Sequence, residues 1–191
     1  MSTDLPGFAD PVAGAQSTFR AVLDAIARPG TLHTLPPGLT PPAPLAPATA
    51  AVLLTLADGE TPLHIAPDCA AATDWLVFHC GVTPSTSPQH AAFVLATTLP
   101  DLATLATGTD EAPQDSATII LQVASLGEGT AFTLSGPGLK APTEFRCTGL
   151  PPGFAQRWAA NHALFPRGVD LILCAGTRLA ALPRSLTIRE P

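Results

Sequence analysis

Lysine is almost missing from this chain: Lys140 is the only one in 191 residues, and no Lys/Arg run occurs. With a net charge of −6 and a pI of about 5.1, neutralisation of a phosphate backbone is excluded as a way of binding nucleic acid. Tyrosine is absent, and the eight Phe and two Trp are scattered, so no base-stacking platform is visible. Charged residues make up 13% of the chain, about half the usual share for soluble domains. A surface so poor in charge fits one that continues into a partner. An Ala-, Thr- and Pro-rich composition accounts for it equally well. No apolar run is long enough to span a bilayer; Ala117–Ala124, among the longest, contains polar residues. Met1–Asp10 has no basic region followed by an apolar run and is not read as a signal peptide. The four cysteines, Cys69, Cys80, Cys147 and Cys174, form no C-x-x-C pair. Reduced thiols in a cytoplasmic protein are the simplest reading.

What is present is enough apolar residue, 46%, for one domain covering 1–191 that buries roughly 70% of its unfolded surface without disulfide or metal. Asp10-Pro11 starts a helix, and Val12, Ala15, Phe19, Val22, Leu23 and Ile26 carry its apolar face as far as Pro29-Gly30. Residues 11–28 are therefore predicted helical, with Phe19 facing inward and Arg20 about 100° away. Leu35–Pro47, with six prolines, is a stiff surface loop. A helix is predicted over Ala48–Asp58, stopped by Gly59. Strands are predicted at Leu63–Ala66, Trp75–Cys80 and Phe93–Thr97, and a short helix at Asp101–Ala106. Ala117–Ser125 and Thr130–Ser135 read as a hairpin turned by Gly127-Glu128-Gly129. Phe145–Thr148 reads as a strand and Pro152–Leu164 as a helix. Val169–Cys174 is apolar enough to be buried on both faces, and Leu179–Leu182 and Ser185–Arg189 are extended. The fold class is α/β, with a mixed sheet flanked by helices.

The chemistry-bearing patterns are missing. There is no Walker phosphate loop, and Gly136-x-Gly138 before Lys140 follows a strand instead of opening a helix. No G-x-G-x-x-G follows a strand. The five histidines form no H-x-x-x-H pair. His79 and Cys80, on a presumed strand, point to opposite faces and cannot share a metal, so no metal site is expected. No G-x-S-x-G elbow surrounds Ser125 or Ser135. Asp58 and Glu60 flank Gly59; a paired-carboxylate site is the sharp reading, a solvated turn the bland one. A Schiff-base cofactor would need Lys140, which sits in a Gly/Pro loop with no phosphate cup, so no cofactor is expected.

Several segments, taken in order, resemble the H-subunit family of the bacterial carbon–phosphorus lyase system. They are Gln16-Ser17-Thr18-Phe19-Arg20 running to Pro29-Gly30, Val52–Pro62, Thr107-Gly108-Thr109 leading into Ala117–Leu126, Phe165–Leu173, and Leu182-Pro183-Arg184. No single piece is diagnostic; the ordered set spans nearly the whole chain. The Pro-rich stretch 36–47 and Pro84–Pro88 match no feature of that family. The resemblance implies a fold similar to the large domain of pyridoxal-phosphate-dependent transferases, without that cofactor. It implies a homodimer when isolated, and assembly with the G, I, J, K and L subunits. In that system the I subunit displaces adenine from ATP with a phosphonate, giving ribose 1-phosphonate 5-triphosphate, supported by the G, H and L subunits. It supplies no catalytic residues to carry over.

Three residues are candidates for binding. Arg20 and Arg184 present planar donor forks suited to an anion or a partner's carboxylate, with Asp170 orienting one of them. The competing reading is an Arg–Asp pair that braces helix against sheet edge. Two readings compete with an assembly subunit: an enzyme in its own right acting on a phosphorylated nucleotide or phosphonate, and a stand-alone phosphonate- or nucleotide-binding regulatory module.

Overall fold

A computed structural model describes residues 5–190; the first four residues of the Met1–Asp10 segment lie outside it. Helix α1 (Pro11–Ala27) begins where the carboxylate of Asp10 accepts the Ala13 amide at 3.0 Å, with Pro11 at the first helical position. It leads to β1 (His33–Thr34), a Pro-rich loop, α2 (Pro47–Leu56) and β2 (Leu63–Ile65). Then come α3 (Thr73–Cys80), β3 (Phe93–Ala96), β4 (Thr118–Gln122), β5 (Ser125–Ser135) and β6 (Thr143–Thr148). The chain closes with α4 (Phe154–His162), β7 (Asp170–Ala175), β8 (Arg178–Leu182) and β9 (Thr187–Arg189).

Six strands form a mixed sheet in the order β1-β8-β7-β4-β3-β2. β7, β4, β3 and β2 run parallel, and β8 and β1 each pair antiparallel. The central strands are apolar on both faces, as a covered parallel sheet requires. Ile119, Leu121, Leu171 and Leu173 join one core, while Ile120, Ile172 and Cys174 join the other. The second core is built with α1, α2 and α3. The first is built with α4 and a separate three-stranded sheet, β6-β5-β9.

The fold class matches the α/β mixed sheet expected from the sequence; the second sheet was not foreseen. The hairpin expected between Ala117–Ser125 and Thr130–Ser135 is not formed. β4 pairs in parallel with β3 and β7, and β5 leaves for the other sheet to pair with β6 and β9. Gly127 and Gly129, at φ 89° and 94°, open a bulge between Leu126 and Thr130 instead of a turn. Trp75–Cys80 is helix, not strand: a short apolar run is ambiguous by period alone, and here Gly81 at φ 68° ends the helix as its left-handed cap. Cys80 and His79 therefore lie about 100° apart on one helix, each bonded elsewhere, to the Leu53 and Leu5 carbonyls.

Phe19 does not face inward. α1 docks through Thr18, Val22 and Ala25, packed near Ala48 and Ala51 of α2. Small side chains let the two helices approach closely, and the larger apolar residues of the adjacent arc are left outside. No described helix is long and apolar enough to cross a membrane.

Candidate functional site

Asp170 is the first residue of β7, and Arg184 lies just beyond β8, so the antiparallel pairing of these neighbours brings the two together. The Arg184 amide donates to Asp170 Oδ1 at 2.7 Å, and Nε donates to both carboxylate oxygens at 3.1 Å. Nη2 completes the fork on Oδ2. Nη1 donates at 2.7 Å to the carbonyl of Pro113, on the loop that leads into β4. The side chains are 15% and 24% exposed. The guanidinium thus joins the open ends of β7 and β8 to the 107–116 loop.

Other groups converge on this edge. The Asn161 carboxamide donates to the Val169 carbonyl at 2.9 Å and accepts the Val169 amide at 2.8 Å, tying α4 to the residue before Asp170. His162 Nδ1 lies 3.0 Å from the Arg184 carbonyl, and Trp158 Nε1 donates to Leu186 O at 2.9 Å. Arg167 Nε lies 3.1 Å from Asp110 Oδ1, too oblique for a hydrogen bond, and the buried hydroxyl of Ser116 has no hydrogen-bond partner among the described residues. The sequence offered no direct signal for Asn161 or Ser116.

Arg20 is not brought to this cluster. It sits exposed on α1 and makes no ion pair among the described residues, whereas its neighbours Asp24 and Arg28 pair with each other. Next to Arg20 around the helix runs an outward stripe: Val12, Phe19, Leu23 and Ile26 are 69%, 45%, 50% and 40% exposed.

At the other end of the parallel strands, Gln122 holds the Pro-rich loop. Its Oε1 accepts the Ala46 amide at 2.6 Å and the Thr49 hydroxyl at 2.9 Å, and its Nε2 donates to Pro44 O at 2.7 Å. The one amide side chain inside ATIILQVASL was the available signal. Beside it, Asp68 Oδ2 accepts the Thr97 hydroxyl at 2.6 Å and the Thr97 and Thr98 amides at 3.1 Å. Burial pushes the Asp68 carboxyl up, but the Thr97, Cys69 and Thr98 hydrogen bonds outweigh it and leave the pKa below the ordinary value.

Between the start of α1 and the Pro-rich loop lies a cleft of about 380 Å³, lined mainly by Phe8, Leu35, Pro36, Leu39 and Ala51, with Asp10 at its edge. Among the described residues that line it there is no Arg, Lys or His, and its walls are mainly apolar. Asp58 Oδ1 accepts the Glu60 amide at 2.9 Å and the Thr61 hydroxyl, closing a turn. Lys140 is exposed between β5 and β6. Among the described residues no three His, Cys, Asp or Glu side chains gather to hold a metal. Burial pushes Cys69 and Cys174 up to about 12, and Cys80 and Cys147 up to about 11, so all four stay protonated thiols at neutral pH.

The chain thus combines a covered mixed sheet, an internally satisfied Arg–Asp edge and an exposed apolar helix face. The comparisons give its kinship. The model of the bacterial phosphonate metabolism protein (PhnH) family matches residues 6–189, and the chain belongs to that family. It is 42% identical over 188 residues to the alpha-D-ribose 1-methylphosphonate 5-triphosphate synthase subunit PhnH of Rhizobium meliloti (strain 1021), covering 96% of this chain and 94% of that protein. It is 35% identical over 178 residues to the putative C-P lyase subunit protein HtxG of Stutzerimonas stutzeri, covering 91% of this chain and 85% of that protein.

Proposed function

We propose that this chain is a subunit of a carbon–phosphorus lyase complex in organic phosphonate catabolism. In that role it supports the reaction in which the I subunit displaces adenine from ATP with a phosphonate. The observation that carries this reading is the full-length kinship with two proteins named as subunits of such systems. The site geometry agrees with it: Arg184 spends its fork on Asp170 and the Pro113 carbonyl, so the brace is closed within the chain itself. On this reading the G, I, J, K and L subunits are its partners, the isolated chain is a homodimer, and it works in the cytoplasm. Its sheet is akin to the large domain of pyridoxal-phosphate-dependent transferases, with no cofactor held.

The test is co-expression of the tagged chain with the G, I and J subunits of its own organism. A complex of fixed stoichiometry that survives gel filtration is expected. Recovery of this chain alone at low salt would overturn the reading.

A further inference from the structure

Large apolar side chains left outside a folded chain are informative when they are contiguous and uncharged. Val12, Phe19, Leu23 and Ile26 meet both conditions. Their spacing of seven, four and three residues puts them on one line along α1, and no charged residue interrupts it. The line runs most of the length of a 17-residue helix whose inner face is already committed to α2 and β8. Elsewhere the large exposed apolar residues are single or adjacent pairs, such as Phe165 or Val77 with Phe78.

The charges beside the stripe say what covers it. Asp24 is neutralised by Arg28, and His33 also approaches it at 3.2 Å, so the remaining charge on the helix is Arg20, adjacent to Phe19 and with no ion partner among the described residues. In a protein of net charge −6, this face is locally positive at its centre. Pairing the stripe antiparallel with its own copy, centred on Phe19, sets the two Arg20 guanidiniums on the same flank with no carboxylate between them. A different chain, with a carboxylate there, removes that conflict.

We propose that the outer face of α1 is the docking surface for another subunit of the assembly, which presents an apolar helix face and a carboxylate to Arg20. This rests on the assembly reading above and deepens it by naming the surface and the chemistry of the partner. Phe19 and Leu23 supply the buried centre of the contact, and Arg20 sets its register.

The test uses the full chain co-expressed with its G, I and J subunits. Leu23→Glu places a charge in the stripe, and Arg20→Glu reverses the lone guanidinium. Both positions are exposed, and folding is checked by circular dichroism and the melting temperature. At 150 mM salt, recovery with the complex should fall at least tenfold for Leu23→Glu and by several-fold for Arg20→Glu. If Leu23→Glu does not fold, Arg20→Glu decides alone. A wild-type chain that joins no complex sinks the assembly reading itself. Wild type and both folded variants joining equally well overturns the surface while leaving that reading intact. A purified wild-type dimer that Leu23→Glu converts to monomer overturns the choice of partner, because the face then belongs to a second copy.

Discussion

Two arginines of this chain have opposite surroundings. Arg184 sits at the amino edge of the parallel strands with its fork closed on Asp170, in a network that runs through Asn161, Val169 and His162. Arg20 sits on a helix face with no ion partner among the described residues and a row of exposed apolar side chains beside it. The first guanidinium has its geometry and its counter-charge supplied by the chain itself. The second has neither. A charged fork that is satisfied internally holds elements together, and one that is left open beside apolar surface is available to something outside. The contrast predicts that substitutions at the edge act on folding and that substitutions on α1 act on association.

The largest folding effect is expected where α4 meets the edge. Trp158 is fully buried, and its indole donates to Leu186. Trp158→Ala should destabilise by about 3–5 kcal/mol, read by urea denaturation. Asn161→Ala leaves the Val169 amide and carbonyl without their side-chain partners in a buried setting and should cost about 2–3 kcal/mol.

Breaking the brace comes next. Arg184→Ala and Asp170→Ala should each cost about 1–3 kcal/mol. That is less than a fully buried pair, because both groups keep some solvent contact. The double variant should cost clearly less than the sum, since either single change already removes the shared bond. Additive losses would show that the two side chains act independently and would break the comparison at its first term. Arg184→Lys should not restore the loss, because an ammonium cannot donate to both carboxylate oxygens and to Pro113 at once.

A smaller effect, with a distinctive pH dependence, is expected at the opposite end of the sheet. Asp68 has its folded pKa held below the ordinary carboxylate value by Thr97, Cys69 and Thr98, against burial. A depressed carboxylate adds stability that is present above its unfolded pKa, roughly 3.9, and is lost as pH falls through the folded value. Asp68→Asn should therefore destabilise at pH 7, with the gap to wild type closing as the pH drops below about 4. A gap that stays constant with pH would assign the effect to packing alone.

How much of this contrast was readable beforehand follows from how local each feature is. The helix of Arg20 has a start signal, a stop signal and a period, all within its own residues, and its limits were legible. Its orientation was not: two apolar arcs lie side by side on α1, and the choice between them is made by the small residues of α2. Trp75–Cys80 is a short apolar stretch that suits strand and helix alike. Gly127-Glu128-Gly129 was read as a turn because a glycine pair opens turns and bulges with the same positive φ. Asp170 and Arg184 are candidates from side-chain chemistry, a planar donor fork and a carboxylate that can orient it, while their mutual contact depends on β7–β8 pairing. The clamp from Gln122 to Pro44 joins residues 78 apart in the chain, and no local pattern encodes it.

The smallest folding effect is expected on α1, and it is the sharpest check of the comparison. Phe19, Leu23 and Ile26 keep 40% or more of their surface in water, so their outer faces contribute little burial to the isolated chain. Leu23→Glu should shift stability by no more than about 0.5 kcal/mol in either direction, measured on the purified chain by urea denaturation. If it instead costs as much as Arg184→Ala, the stripe is part of the folded chain's own packing and the difference between the two arginines disappears. A near-zero effect on folding, beside a loss of the partner, places the function of this helix outside the chain that encodes it.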